Sequence, residues 1–446
     1  MPESALNTGD TAWILTSAAL VLLMIPGLAL FYGGMTRAKS TLNMMMMVMG
    51  ALAVVGVIWI IFGYSMTFGT DAGNGLWASP TEYLGLEGLM ADDPEATYPA
   101  MSFVAFQAMF ACITVGLIAG AIADRAKFGI WLVFAGIWAT VVYFPVAHWV
   151  WGAGGWIFEG LGPLNGTPAI DFAGGTAVHI NAGAAGLALA IVLGRRIGWP
   201  KTAMKPHNLT LVMIGAGLLW FGWFGFNAGS ALSAGNTAAV TFINTFAATC
   251  AACIGWLLVE RFRDGHATSL GAASGIVAGL VAITPSCSAV SPLGALVIGL
   301  IAGVVCAFAV SLKFKLKLDD SLDVVGIHLV GGLIGTLLIG FLATEAAPAG
   351  VNGLFYGGGV TQLTSQAIAA FVVLAYSFIL ALIIGKILDL VIGFRVSEDD
   401  EVAGVDRVEH GESAYEFNET GAGGTFAGLS AASAARAANK DMEVKA

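Results

Sequence analysis

Charge is scarce in this sequence. Only 11% of its 446 residues are Asp, Glu, Lys or Arg, while 57% are hydrophobic. A soluble chain of this length cannot hide so much apolar side chain in its core, so that class is excluded. Bases are scarcer than acids, 19 against 29, and the formal net charge of −10 argues against a nucleic-acid partner. No Lys or Arg precedes Arg37. The N-terminus therefore lacks the basic region of a secretory signal, and its first apolar run reads as a retained span. Cysteine is rare too. Of Cys112, Cys250, Cys253, Cys287 and Cys306 only one pair is close in sequence, with no second pair or nearby His. Zinc is not expected, and the thiols read as small side chains in or beside apolar stretches. An intramembrane enzyme using Asp171 and His179 would need a nucleophile, metal triad or nucleotide motif, and none accompanies them. No cofactor is expected.

What the sequence has in quantity is long apolar runs, with a mean hydropathy of +0.83. Eleven are long enough to cross a bilayer: 11–34, 42–67, 101–123, 128–150, 173–193, 208–228, 237–259, 268–284, 292–312, 324–343 and 364–393. The fold class expected is an all-α polytopic membrane protein. Sixty glycines suit it, because small residues let membrane helices approach closely. Loop charges test the count. Arg37, Lys39, Arg125, Lys127, Arg195, Arg196, Lys201, Lys205, Arg261, Arg263, Lys313, Lys315 and Lys317 follow odd-numbered spans, and every other base lies at the end of the eleventh span or beyond. The alternate segments hold none, so the N-terminus is expected outside and the C-terminus inside. The outer segments carry Asp10, Asp71, Glu82, Glu87, Glu159, Asp171 and Glu345, a surface that gathers cations or is simply solvated.

Two parts are expected: a membrane domain, 1–395, and a cytoplasmic tail, 396–446. The tail is acidic and then rich in Ala and Ser, too poor in apolar side chains for a core of its own.

Of the six histidines only His179 and His328 lie well inside spans, the fifth and tenth. Each is followed by Gly at +4 and +7: Gly183 and Gly186, Gly332 and Gly335. Each has an upstream Asp, Asp171 and Asp323, at different distances, and both read as helix caps. An offset of five spans reverses the direction of crossing, the signature of a 5+5 inverted repeat with an eleventh helix added. One such histidine alone reads as a satisfied buried imidazole. Two in register point to a site at the repeat interface.

The stretches "DFAGGTAVHINAGAAGL" (171–187), "WFGFNAGS" (223–230), "FQAMFACITVGLIAGA" (106–121) and "DVVGIHLVGG" (323–332) resemble the ammonium transporter family (Amt/Mep/Rh), its bacterial Amt branch most closely. The resemblance implies an outer recruitment site for ammonium at Trp151, Phe110 and Ser230, with Asp171 near it. It implies a gate of stacked rings, Phe110 and Phe226, and a twin-histidine pair, His179 and His328, lining a narrow pore. It also implies a homotrimer in the plasma membrane, methylammonium as a substrate analogue, and docking of a cytoplasmic PII-type signalling protein on the tail. Taken by themselves, Trp151 is an interfacial anchor and the two Phe are core aromatics. Within the family, an electroneutral gas channel of the Rh kind and an ammonium sensor signalling through the tail are the alternatives. Buried imidazoles stay neutral, and a neutral pair both donates and accepts hydrogen bonds, as ammonia does.

Overall fold

In the computed structural model, which describes residues 5–91 and 93–415, helices do nearly all the work. Among the described residues the β-structure is two isolated bridges, Asp71 with Ala78 and Ala126 with Arg395. Among the described residues ten helices are long and apolar enough to cross a membrane: α1 Thr8–Met35, α2 Ala38–Phe68, α3 Ala100–Ile122, α4 Phe128–Trp151, α5 Gly175–Leu193, α6 Leu209–Gly229, α7 Asn236–Arg263, α9 Pro292–Leu316, α10 Val325–Leu342 and α11 Thr361–Val391. Between α7 and α9 lies α8, Ser269–Ile283, apolar but only 15 residues long. It corresponds to the expected run 268–284: Thr284 still has helical dihedrals, and the helix stops where Pro285 brings no N–H to donate.

Local chemistry sets several helix starts. Asn7 caps α1, Asn208 caps α6, Thr268 caps α8 and Ser291 caps α9, each side chain accepting a backbone N–H of the first turn. Packing then depends on small residues. A Cβ on Gly215 of α6 would collide with the Phe31 backbone of α1, and one on Gly299 or Gly303 of α9 with α7 at Ala248 or Ala252.

The glycines after the histidines do what their spacing suggests. A Cβ on Gly183 would sit 2.5 Å from the nitrogen of Leu329, the residue after His328. One on Gly332 would sit 3.0 Å from Ile180, the residue after His179. So α5 and α10 cross backbone to backbone beside the two rings, each glycine receiving the other helix at the same place. Both histidines lie in π-helical turns, Gly175–Ile180 and Val325–Leu329, local widenings that are frequent at functional sites.

The caps ahead of those turns correct one expectation. Asp171 does cap α5, taking the N–H groups of Gly174, Gly175, Thr176 and Ala177 at 2.6–2.9 Å. On α10 the cap is Asp320, not Asp323: its oxygens accept from Val324 and Val325 at 3.1 and 2.8 Å. Asp323 instead pairs with Lys313 at 2.6 Å. Its φ of +64° is left-handed rather than the extended geometry of a capping residue, and its carboxylate is engaged by Lys313. Asp320 stands eight residues before His328, as Asp171 does before His179.

At the basic end of the bundle the described part of the tail lies against the helices. Phe394, Val396 and Val405 are buried. A short helix, α12, Glu398–Ala403, presents Glu401 to Arg37, Arg395 and the Ile197 N–H. Asp406 accepts the N–H groups of Leu42 and Asn43 in α2. Residues 416–446 of the tail lie outside the described residues.

Candidate functional site

A line of rings runs down the middle of the bundle. At the end opposite the bases, Trp151 closes α4, and its indole N–H donates to the Asp171 carbonyl at 2.9 Å. That bond fixes the indole perpendicular to Phe110, with ring centroids 6.0 Å apart. Trp151, Phe110 and Ser230 line one vestibule of about 270 Å³ with Gln107, Phe103, Phe172 and Leu232. The Ser230 hydroxyl donates to the Phe226 carbonyl at 2.8 Å, so its oxygen lone pairs stay available to a cation. Asp171 does not line this space. Its carboxylate is spent on backbone amides one layer away, and Gly174 beside it has φ +116°, a conformation that L side chains rarely adopt.

Below the vestibule Phe110 and Phe226 stack with centroids 4.1 Å apart, the planes 28° from parallel. Both are buried, and no open channel separates them. Next come the imidazoles. His179 lies 6.1 Å from the Phe226 ring and 5.4 Å from that of Trp223. Its Nδ1 is 3.3 Å from Nδ1 of His328. One ring must donate in that bond and the other accept, so of the two Nε2 atoms one carries a proton and one is bare. His179 Nε2 is buried and has no hydrogen-bond partner among the described residues. Beside the pair is a cavity of about 10 Å³, walled by Leu28, Phe31, Ile113, Leu117, Val178 and Val277 among others. That is roughly the space one water-sized molecule needs.

The structure thus gathers Trp151, Phe110, Ser230, Phe226, His179 and His328 along one path and sets Asp171 behind it. Sequence reasoning passed over Trp223, although it stands three residues before Phe226 and so on the same helix face. Its indole N–H donates to Thr284 at 2.8 Å, and the one Thr284 hydroxyl proton lies within reach of the Leu280 carbonyl at 2.7 Å and the Asn227 amide oxygen at 3.2 Å. This holds a flat ring against His179, the planes 20° from parallel. Among the described residues no group of three His, Cys, Asp or Glu could hold a metal ion.

Membrane-length helices around a buried aromatic and imidazole path define a multi-pass protein of the cell membrane. The model of the Ammonium Transporter Family matches residues 12–415, and the chain belongs to that family. It is 61% identical over 432 residues to an ammonium transporter of Mycobacterium tuberculosis, covering 92% of this chain and 90% of the relative. An ammonium transporter of Bacillus subtilis is 45% identical over 415 residues, 92% of this chain and 99% of that one. Among solved structures, Saccharomyces cerevisiae Mep2 is 34% identical, covers 89% and 90% of the two chains and superimposes with a TM-score of 0.81. A protein described as a sensor Amt is 28% identical, at 90% and 98% coverage and a TM-score of 0.81.

Proposed function

We propose that this chain takes ammonium at the vestibule, that the proton it loses goes back to vestibule water or onto the bare histidine nitrogen, and that ammonia passes between the helices along the histidine pair. The observation that carries this reading is the paired Nδ1 contact beside a cavity of single-molecule size. A cation crossing ~30 Å of hydrocarbon must have its charge compensated or removed. In the vestibule the Trp151 and Phe110 π-faces attract the ion, by roughly 2 kcal/mol or more where water is excluded, and the Ser230 oxygen accepts from it. Asp171 acts as a positioning residue, since its backbone carbonyl holds the indole and its carboxylate holds the turn that carries His179. The stacked Phe110 and Phe226 exclude hydrated ions. Beyond them, one bare and one protonated Nε2 offer an acceptor and a donor, and ammonia has need of both. Sodium and potassium have no proton to lose.

On the same reading α1–α5 and α6–α10 are inverted repeats with the N-terminus outside, α8 being the eighth crossing despite its length. The reciprocal seats of Gly183 and Gly332 and the matched carboxylates, eight residues ahead of each histidine, support this. The chain assembles as a homotrimer with one path per subunit, and a PII-type protein docks on the tail. The likeness to a sensor favours a second reading, in which the tail reports ammonium. Deleting residues 396–446 would then abolish a response and leave uptake unchanged.

The test is methylammonium uptake into vesicles carrying the native protein or the double variant His179→Ala with His328→Ala. The native protein should take up the analogue and reject potassium, and the double variant should lose one ability or the other. Equal uptake with equal rejection sinks the histidine mechanism.

A further inference from the structure

At the basic end, α5 and α9 leave between them a groove of about 450 Å³. Its walls are apolar, with Leu187, Ala190 and Ile191 on one side and Leu316 and Leu318 on the other. Ile191 is 51% and Leu316 72% exposed, so in a bilayer the groove opens to acyl chains. Two cations stand at its mouth, Arg195 and Lys317.

Their pairing is the informative point. Arg195 and Arg196 are consecutive and have opposite fates. Arg196 is buried, ion-paired to Asp124 and Asp319 at 3.0 and 2.8 Å. Arg195 is exposed, and among the described residues no carboxylate lies within ion-pair distance of it or of Lys317. Asp319 also lines the groove, but both of its oxygens are held by Arg196. The Arg195 side chain is nonetheless held in place. Its Nε–H donates to the Lys317 carbonyl at 2.9 Å, and its guanidinium lies 5.7 Å from the Trp199 ring, which stacks on Phe314. That leaves the outer guanidinium nitrogens, in a groove that Lys317 also lines, free to take a bidentate anion.

We infer that this groove is a binding site for an anionic glycerophospholipid of the leaflet at the basic end, its phosphate between Arg195 and Lys317 and one acyl chain against Ile191 and Leu316. Basic pockets between membrane helices are the usual places for acidic headgroups. The apolar walls select a lipid over free phosphate, which could not use them.

The experiment measures lipid retained by the purified full-length protein, by native mass spectrometry, from equal phosphatidylglycerol and phosphatidylcholine of matched chains. The native protein should prefer phosphatidylglycerol, and Arg195→Gln with Lys317→Gln should lower that preference on the order of tenfold. Lys315→Gln, on the same helix end but outside the groove, should leave it unchanged. A photocrosslinker replacing Ile191 in an otherwise native chain should capture lipid, which keeps the proposal testable if the double variant fails to fold. An unchanged preference in the double variant overturns it. So does full displacement of the lipid by an equal concentration of inorganic phosphate, or capture of a second copy of the chain at position 191.

Discussion

The two halves of the path begin alike and end differently. Each has a carboxylate eight residues ahead of its histidine, folded onto the first amides of the helix that carries it. Asp171 serves four N–H groups beneath an aromatic vestibule. Asp320 serves two, and Lys313 and Asp323 lie close by. The shared cap is what a helix opening in apolar surroundings demands, because its first N–H groups have no partner inside the helix. The surroundings are what each end does with the space left over: rings at one end and ion pairs at the other.

The largest expected effect breaks that likeness directly. A buried donor left without its acceptor costs roughly 1–3 kcal/mol, so Asp171→Ala, which strands four, should lose more than roughly 4 kcal/mol of stability. Asp320→Ala strands two and should lose about half as much. Thermal unfolding in detergent, followed by tryptophan fluorescence, ranks the two. Equal losses would mean that the caps do not differ as their hydrogen bonds do.

Next in size is the histidine pair, whose rings share one bond at 3.3 Å. Replacing either with Ala removes the hydrogen bond to the other, and methylammonium uptake should change by about tenfold, the equivalent of one hydrogen bond in a barrier. The double variant should change uptake little more than either single one, because the pair acts as a unit. Multiplying effects would show two independent rings.

Much of this was legible in the sequence, and the reasons are specific. The bundle could be read because charge is confined to its ends, and the eighth helix was found although Pro285 cuts it short. His179 and His328 could be found because imidazoles inside apolar runs are rare and these two share glycine spacing. The cap of α10 was misread. Asp323 adjoins the helix and looks like a cap, but its backbone is left-handed, and the carboxylate that reaches the amides is three residues earlier. The Asp171-to-His179 spacing would have pointed to it. Trp223 was passed over because its role depends on Thr284, 61 residues away, accepting the indole N–H and fixing the ring beside His179. No local pattern carries that.

Within the ion-pair end, neighbouring carboxylates should respond differently to acid. Burial, then the Asp323 charge, pushes the Asp320 carboxyl up to about 6, against the pull of Lys313 and the two amides. Its unfolded value is about 4, so between the two the folded chain holds the extra proton. This group therefore destabilises the fold above about pH 6, and the penalty fades as pH falls toward 4. Asp319 is held below the ordinary value, because its bonds and ion pair to Arg196 outweigh its own burial, so its contribution is lost only at lower pH. The melting temperature of the native protein should rise relative to Asp320→Asn between pH 7 and 4. A flat difference would remove the charge from the comparison.

The smallest effect should come from the tail, the part of the basic end farthest from the rings. Glu401 is fully enclosed, its two oxygens divided between Ile197 N–H and Arg37 on one side and Arg395 on the other. Glu401→Gln keeps the shape and removes the charge. Arg37 would still have Asp124 at 3.0 Å, and Arg395 the Leu193 carbonyl at 2.8 Å, so the helix ends should stay in place while α12 loosens. Limited proteolysis should then cut near residues 398–410 sooner than in the native chain. Methylammonium uptake should change by less than about twofold, under 0.5 kcal/mol in the barrier. A loss as large as that of the histidine variants would mean that the ion-pair end reaches the rings through more than packing. The chain Glu401–Arg37–Asp124–Arg196–Asp319, which ends next to the cap of the His328 helix, would be the route to examine.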